Sequence, residues 1–156
     1  MKIDVTSTAF QEGQPIPAQY TADGKDVSPP LSWGGVPAGT RSLALLCEDP
    51  DAPRGTWSHW VLFNLPADAG GLPEGVPPEA KLPSGATQGT NDFHKVGYGG
   101  PSPPPGKPHR YFFKLYALDT TLSLPPGTTR QQLQSAVQGH VLAEGQLMGT
   151  YGRAKK

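Results

Sequence analysis

The chain has 156 residues, a length that suits one domain with a sizeable core. Its 13 Lys and Arg balance 13 Asp and Glu, which argues against nucleic acid or an anionic membrane as a bulk electrostatic partner. Glycine (20) and proline (19) are abundant, but they are interleaved with aromatic and β-branched segments and form no simple repeat, which argues against disorder.

The N-terminal MKIDVTSTAF has no continuous apolar stretch of the kind a secretory signal requires, and no segment is long enough to span a bilayer. A cytoplasmic protein is expected. KIDVTST reads as a first strand and PLSW (30–33) as a further short one. SLALLCE (42–48), HWVLFNL (59–65) and RYFFKLYAL (110–118) are near-continuous apolar runs of strand length, expected for strands buried on both faces. Cys47, the only cysteine, permits no internal disulfide and reads as buried filler in a reducing compartment. Between Leu65 and Arg110 lie more than forty residues with little periodicity. A loop that long in a compact domain is usually functional or disordered. Its aromatics and stiff prolines argue for an ordered loop folded against the body.

One segment is helical. TTRQQLQSAVQGHVL places Leu133, Ala136, Val137, His140 and Val141 on one face, with Thr128 and Gln131 as a candidate capping box. His140 is expected to pack on that apolar face. Many short strands, Gly/Pro turns and one or two short helices predict a mainly β sandwich with a long pocket-forming loop. No linker divides the chain, so residues 1–156 read as a single domain.

GPSPPPGKPHRY (100–111) spends five prolines to deliver a His-Arg-Tyr triplet. Proline fixes φ and lacks an N–H donor, so this run is neither helix interior nor central strand. A stiff loop ending on His109 holds that histidine still. His109 and Tyr111 share a strand face, while Arg110 points away and reads as an ion-pair residue. Trp57 and His59 in TWSHW likewise share a face, with Trp60 on the other. In DPDAP (49–53), Asp49 ends a buried strand and is placed to face a cleft, while Asp51 reads equally well as a turn residue.

Catalytic and metal motifs are missing. There is no G-x-S-x-G elbow, and P-S-P-P-P-G-K-P matches a phosphate-binding loop only superficially. Two histidines and an aspartate lack the H-x-x-x-H or C-x-x-C spacing of a zinc site. The PxxP content runs directly into a strand, unlike a free extended ligand. No catalytic residue, metal or cofactor is therefore expected.

In combination, DGKDVSPPLSW, EDPDAP, HWVLFN, GTNDF, GYGGPSPPPG, HRYFFKLYALD and GHVLAEGQLMGTYGR resemble the phosphatidylethanolamine-binding protein family, also called the Raf kinase inhibitor protein family. The GYGGP form and the short C-terminal end resemble its bacterial and archaeal branch. The resemblance implies a β-sandwich with a small pocket for phosphate or a phospholipid head group of the phosphoethanolamine type. Carried over residue by residue, the pocket comprises Asp49, Trp57, His59, Gly100, Pro101, His109 and Tyr111, with Tyr98 specific to the longer GYGGP form. Two imidazoles and a tyrosine hydroxyl are expected to donate to phosphate oxygens, with Gly99-Gly100 letting the backbone approach the ligand. Asp49 fits such a site if it pairs with a histidine cation, a protonated phosphate or an ethanolamine amine. The expected function is non-enzymatic binding of a small anion. A kinase or protease as protein partner, and self-association as a homodimer, are left open. The competing reading is a hydrolase that uses His59 and His109 as acid and base on a phosphorylated or acylated small molecule.

Overall fold

The computed structural model describes residues 2–53 and 55–153. It contains strands β1 (Asp4–Thr6), β2 (Leu31–Gly34), β3 (Ser42–Asp49), β4 (Trp57–Pro66), β5 (Gly71–Leu72), β6 (Thr87–Gln88), β7 (His109–Leu118) and β8 (Val141–Tyr151), with one α-helix, α1 (Arg130–Val137). A single 3-10 turn spans Ala18–Tyr20. The strands form two antiparallel sheets, one ordered β1-β2-β5 and the other β6-β4-β3-β7-β8. This is the mainly β, two-layer architecture expected from the alternation of short apolar runs and turns.

β3 lies in the middle of the large sheet, and all eight of its residues are buried. Leu43, Leu45 and Cys47 pack into the core between the sheets with Ile3, Trp33, Trp60, Phe113 and Leu115. Ala44 and Leu46 point the other way, joining Val61, Phe63, Leu118, Leu133 and Val137 beneath α1. Two apolar faces on one strand explain why SLALLC is uninterrupted rather than alternating. β7 does not share this property. Its inner row from His109 to Ala117 is buried, but Arg110 is exposed and Phe112, Lys114 and Tyr116 are half-buried on the outer face. RYFFKLYAL looks continuous because aromatic rings and a lysine stem cover that outer face, with Arg110 and Lys114 over the Phe112 ring.

The helix is shorter than its periodicity predicts. It ends at Val137, and Val141 and Leu142 belong to β8, where they are among the exposed large apolar side chains. His140 is therefore not on a helix face. Its Nδ1 meets Asp119 Oδ1 at 2.8 Å, just beyond the Leu118–Val141 end of the β7–β8 ladder. Pairing of Val141 with Leu118 begins a long antiparallel ladder, and that ladder overrides the helical pattern. The capping box also sits one residue later than expected. Thr129 and Gln132 exchange the two bonds, while the Thr128 hydroxyl donates to the Pro125 carbonyl.

β8 escapes sequence reading because its inward row is Ala143, Gly145, Leu147 and Gly149, with little hydrophobic content. The glycines answer a packing demand. A Cβ on Gly145 would lie 1.9 Å from the Ile3 carbonyl oxygen, and one on Gly149 would lie 2.5 Å from the Ile16 side chain.

Thr129→Ala should remove a bond at the N-terminus of α1 and lower stability by about 1 kcal/mol. The urea midpoint should fall with an unchanged m-value.

Candidate functional site

A cleft of about 190 Å³ opens where the interlayer core ends. Its walls are Asp49 at the end of β3, Trp57 and His59 at the start of β4, and His109 and Tyr111 at the start of β7. Ala52, Pro53, Phe93, Ser102, Pro103 and Pro104 complete it. Five of the seven expected site residues thus converge. Gly100 and Pro101 do not line the cleft. The Gly100 N–H donates to Asp26 Oδ1 at 2.7 Å, and the Pro101 carbonyl accepts the Ala22 N–H at 3.0 Å. Both are engaged with the segment after the 3-10 turn, behind the wall. The Gly99-Gly100 pair permits close approach of protein to protein: a Cβ on Gly99 would lie 2.6 Å from the Phe93 ring, and one on Gly100 2.5 Å from the Tyr20 carbonyl. Tyr98 is structural too, stacking edge-on against Trp60 and donating to the Tyr20 carbonyl.

A β-bulge aims His59. Cys47 pairs with Trp60 and Glu48 with Ser58, so His59 is an extra residue on β4. Trp60, expected on the opposite side from Trp57 and His59, instead turns into the interlayer core. Simple alternation fails here because the inserted residue shifts the register by one. His59 Nδ1 lies 2.6 Å from the Gly99 carbonyl oxygen, and the Gly99 N–H donates back to the His59 carbonyl at 2.8 Å. Since a carbonyl only accepts, Nδ1 carries the proton and Nε2 is the lone-pair nitrogen of the neutral ring. Phe93 and Tyr111 hold the ring edge-on, with centroids 5.4 and 5.2 Å away. Burial lowers the proton affinity of His59, more than the Gly99 bond and the nearby carboxylates raise it.

His109 is oriented by Asp49. Its Nδ1 lies 2.7 Å from Asp49 Oδ2, and both side chains are almost fully buried. Asp49 Oδ1 accepts the Asp51 N–H at 2.8 Å, so Asp49 both ends the strand and anchors the turn. Asp51 faces outward. It takes the Arg110 guanidinium through both oxygens at 2.9 Å and accepts the Arg110 backbone N–H, as Arg110's ion-pair reading predicts. The Arg110 bonds hold the Asp51 carboxyl down at about 2.

Two polar atoms at the cleft have no protein partner. Trp57 Nε1 and Tyr111 Oη are buried and unbonded among the described residues. Burial holds the Tyr111 hydroxyl far above its usual range, so it stays protonated and able to donate. Both atoms belong to residues of the cleft lining, whereas a third buried atom with no partner among the described residues, Ser58 Oγ, lies on β4 outside it.

Residues beyond the expected set fix the walls. Asn91 braces its turn through the Phe93 and Lys95 N–H groups and the Gly97 carbonyl, while Asp92 accepts the Ser58 N–H. Arg153 donates to the Pro103 carbonyl and pairs with Asp23 through both oxygens, tying the proline wall to the end of the chain's last strand. Neither Asn91 nor Arg153 stands in a motif with its own chemistry, so the sequence offers no local sign of these roles. Among the described residues, no group of three or more His, Cys, Asp or Glu side chains could hold a metal ion. No described helix is long and apolar enough to cross a membrane.

With this geometry in view, residues 6–152 match the family model described as phosphatidylethanolamine-binding protein. The chain belongs to the phosphatidylethanolamine-binding protein family. It is 52% identical over 151 residues to a UPF0098 protein of the archaeon Methanothermobacter thermautotrophicus, covering 97% of this chain and 99% of that one. A UPF0098 protein of Aquifex aeolicus is 46% identical over 97% of this chain and 89% of its own length. Among solved structures, a phosphatidylethanolamine-binding protein homologue from Chlamydia trachomatis superposes with a TM-score of 0.88 at 42% identity, covering 97% of this chain and 98% of that one. E. coli YbcL, described as a member of the mammalian family, gives 0.91 at 34% identity, with 97% and 99% covered.

Two acid-sensitive windows should appear in the stability of the fold. His59 is held neutral in the folded chain, whereas the unfolded chain takes up a proton near 6.5. Stability should therefore fall as pH drops below 6.5 towards the lower folded value. Asp51 contributes fully above its unfolded value of 3.8, and that contribution should be lost as pH falls towards 2. Thermal midpoints of wild type, His59→Gln and Asp51→Asn across this range check both windows. An upper slope that persists unchanged in His59→Gln would remove His59 as its cause.

Proposed function

We propose that this protein is a non-catalytic binding protein whose cleft takes a phosphate or phosphoethanolamine-type head group. The observation that carries this reading is the pair of buried donors without partners among the described residues, Trp57 Nε1 and Tyr111 Oη, on residues that line one cleft beside the Asp49-anchored His109. An unpaired buried donor costs about 1–3 kcal/mol, which the oxygens of a phosphoryl group would recover by accepting both. In its cationic form His109 adds a charge-assisted donor at Nε2. The prolines limit the ordering that binding would otherwise demand.

A further reading, a regulator or inhibitor of a kinase or protease, would use the same loop face. The His109–Asp49 pair is the one feature that favours the hydrolase alternative, because an aspartate-oriented imidazole can act as a general base. Among the described residues, no nucleophilic side chain is bonded to that imidazole.

Calorimetric titration with inorganic phosphate tests the binding reading. His109→Ala should lose about 1.5–3 kcal/mol of binding free energy, the range for a hydrogen bond to a charged group. Asp49→Asn should weaken binding more than it lowers the thermal midpoint. Unchanged phosphate affinity in both variants would remove the pair from the site. Screening against phosphoesters and carboxylic esters should show no turnover, and turnover abolished by His109→Ala would establish the hydrolase reading instead.

A further inference from the structure

The cleft uses one face of β3 and β7, and the opposite face of the same strands carries a second recess. Side chains alternate along a strand, so Asp49, His109 and Tyr111 face the cleft while Glu48, Arg110 and Phe112 face away from it. On this outer face α1 packs over Ala44, Leu46, Val61 and Phe63 of β3 and β4, whereas Phe112, Lys114 and Tyr116 of β7 and Met148 of β8 stay only half-buried. Cross-strand pairing sets Phe112 beside Met148, Lys114 beside Gln146 and Tyr116 beside Glu144. Two recesses of about 420 and 440 Å³ lie along this strip and share Lys114 and Gln146. From Arg110 to Tyr116 the strip is about 20 Å long, the reach of roughly six extended residues.

The strip holds a local surplus of positive charge. Glu48 is almost fully buried at its edge, and Lys114 Nζ and Arg130 Nη1 each take one oxygen of its carboxylate. One cation would balance Glu48, so the pair leaves one charge over. Arg110 is balanced by Asp51, and Lys2 and Glu144 offset each other in the second recess. Both bonds of Arg130 use Nη1, so its Nε and Nη2 groups have no partner among the described residues. Lys114 sits 5.9 Å from the centroid of the Phe112 ring, so cation and aromatic floor adjoin. We propose that this strip is a docking groove for an acidic segment of a partner protein, with one carboxylate seated between Lys114 and Arg130 and apolar atoms of the segment covering Phe112 and Tyr116. A bare anion would answer the charge and leave the rings in water. A neutral apolar segment would cover the rings and leave the charge unanswered. An acidic peptide answers both. The groove is separate from the cleft and from the proline loop.

The probe is the peptide acetyl-Asp-Glu-Phe-Glu-Asp-amide, with acetyl-Asn-Gln-Phe-Gln-Asn-amide as its uncharged control, each titrated into the isotope-labelled full chain while backbone amide shifts are followed by NMR. The acidic peptide should move the amides of Phe112, Lys114, Arg130 and Gln146. At low salt it should bind at least about tenfold more tightly than the control, and added salt should shrink that advantage. Saturating inorganic phosphate should not displace it. Gln134 accepts a bond from Arg130 Nη1, so Gln134→Glu sets a carboxylate beside Arg130 without removing either partner of Glu48. That variant should lose at least about fivefold in acidic-peptide affinity and keep its phosphate affinity. Equal binding of the two peptides, or no movement of these amides, overturns the proposal. Displacement by phosphate overturns it by assigning the peptide to the cleft. The same shifts from acetate at equal affinity leave a simple anion site and overturn the docking groove. The same shifts on raising the protein concentration alone make the occupant a second copy of this chain and overturn the partner. Unchanged peptide affinity in Gln134→Glu overturns the seat between Lys114 and Arg130, and the wild-type comparison decides the matter even if the variant does not fold.

Discussion

The middle of the large sheet has no face left for water, and the rest of the structure follows from that constraint. β3 is covered on one side by the small sheet and on the other by α1. Its interlayer row runs Leu43, Leu45, Cys47, and then Asp49. β7, antiparallel beside it, runs Ala117, Leu115, Phe113, then Tyr111 and His109. Both rows pass from apolar to polar at the same end of the sandwich. Polar groups buried there must find partners. Asp49 and His109 find each other, while Trp57 Nε1 and Tyr111 Oη find none among the described residues. The cleft is the place where the hydrophobic core stops but burial does not.

Two devices shape that end. The bulge at His59 adds one residue to β4 and brings its imidazole to the same cleft as His109. The long connection between β4 and β7 then folds back over the opening. It is tied to β4 by the His59–Gly99 pair and the Asp92–Ser58 bonds, and to the last strand by Arg153. Such ties hold a loop with few regular hydrogen bonds in one geometry, so its prolines form a wall.

The chemistry that results is mixed in sign. Orphaned donors ask for oxygen acceptors, whereas a neutral His59 asks for a donor, and Asp49 spends its charge on orienting its neighbours. A spherical anion would satisfy only part of this set.

By itself the sequence determined the β-rich class, the core strands and five of the eleven cleft-lining side chains. SLALLCE, HWVLFNL and HRYFFKLYAL state burial through composition, and a proline run before a histidine states rigidity, because both signals are local. The family was legible in motifs for the same reason. Tertiary structure alone decided what depends on distant partners. β8 became a strand because β7 offered a ladder, and its glycines meet Ile3 and Ile16 from the far end of the chain. Gly100 was turned to Asp26 rather than to the cleft by a contact across 74 positions. A one-residue bulge, invisible in alternation, set the facing of His59 and Trp60. Pairing and register are properties of two segments at once, and no single stretch of sequence encodes them.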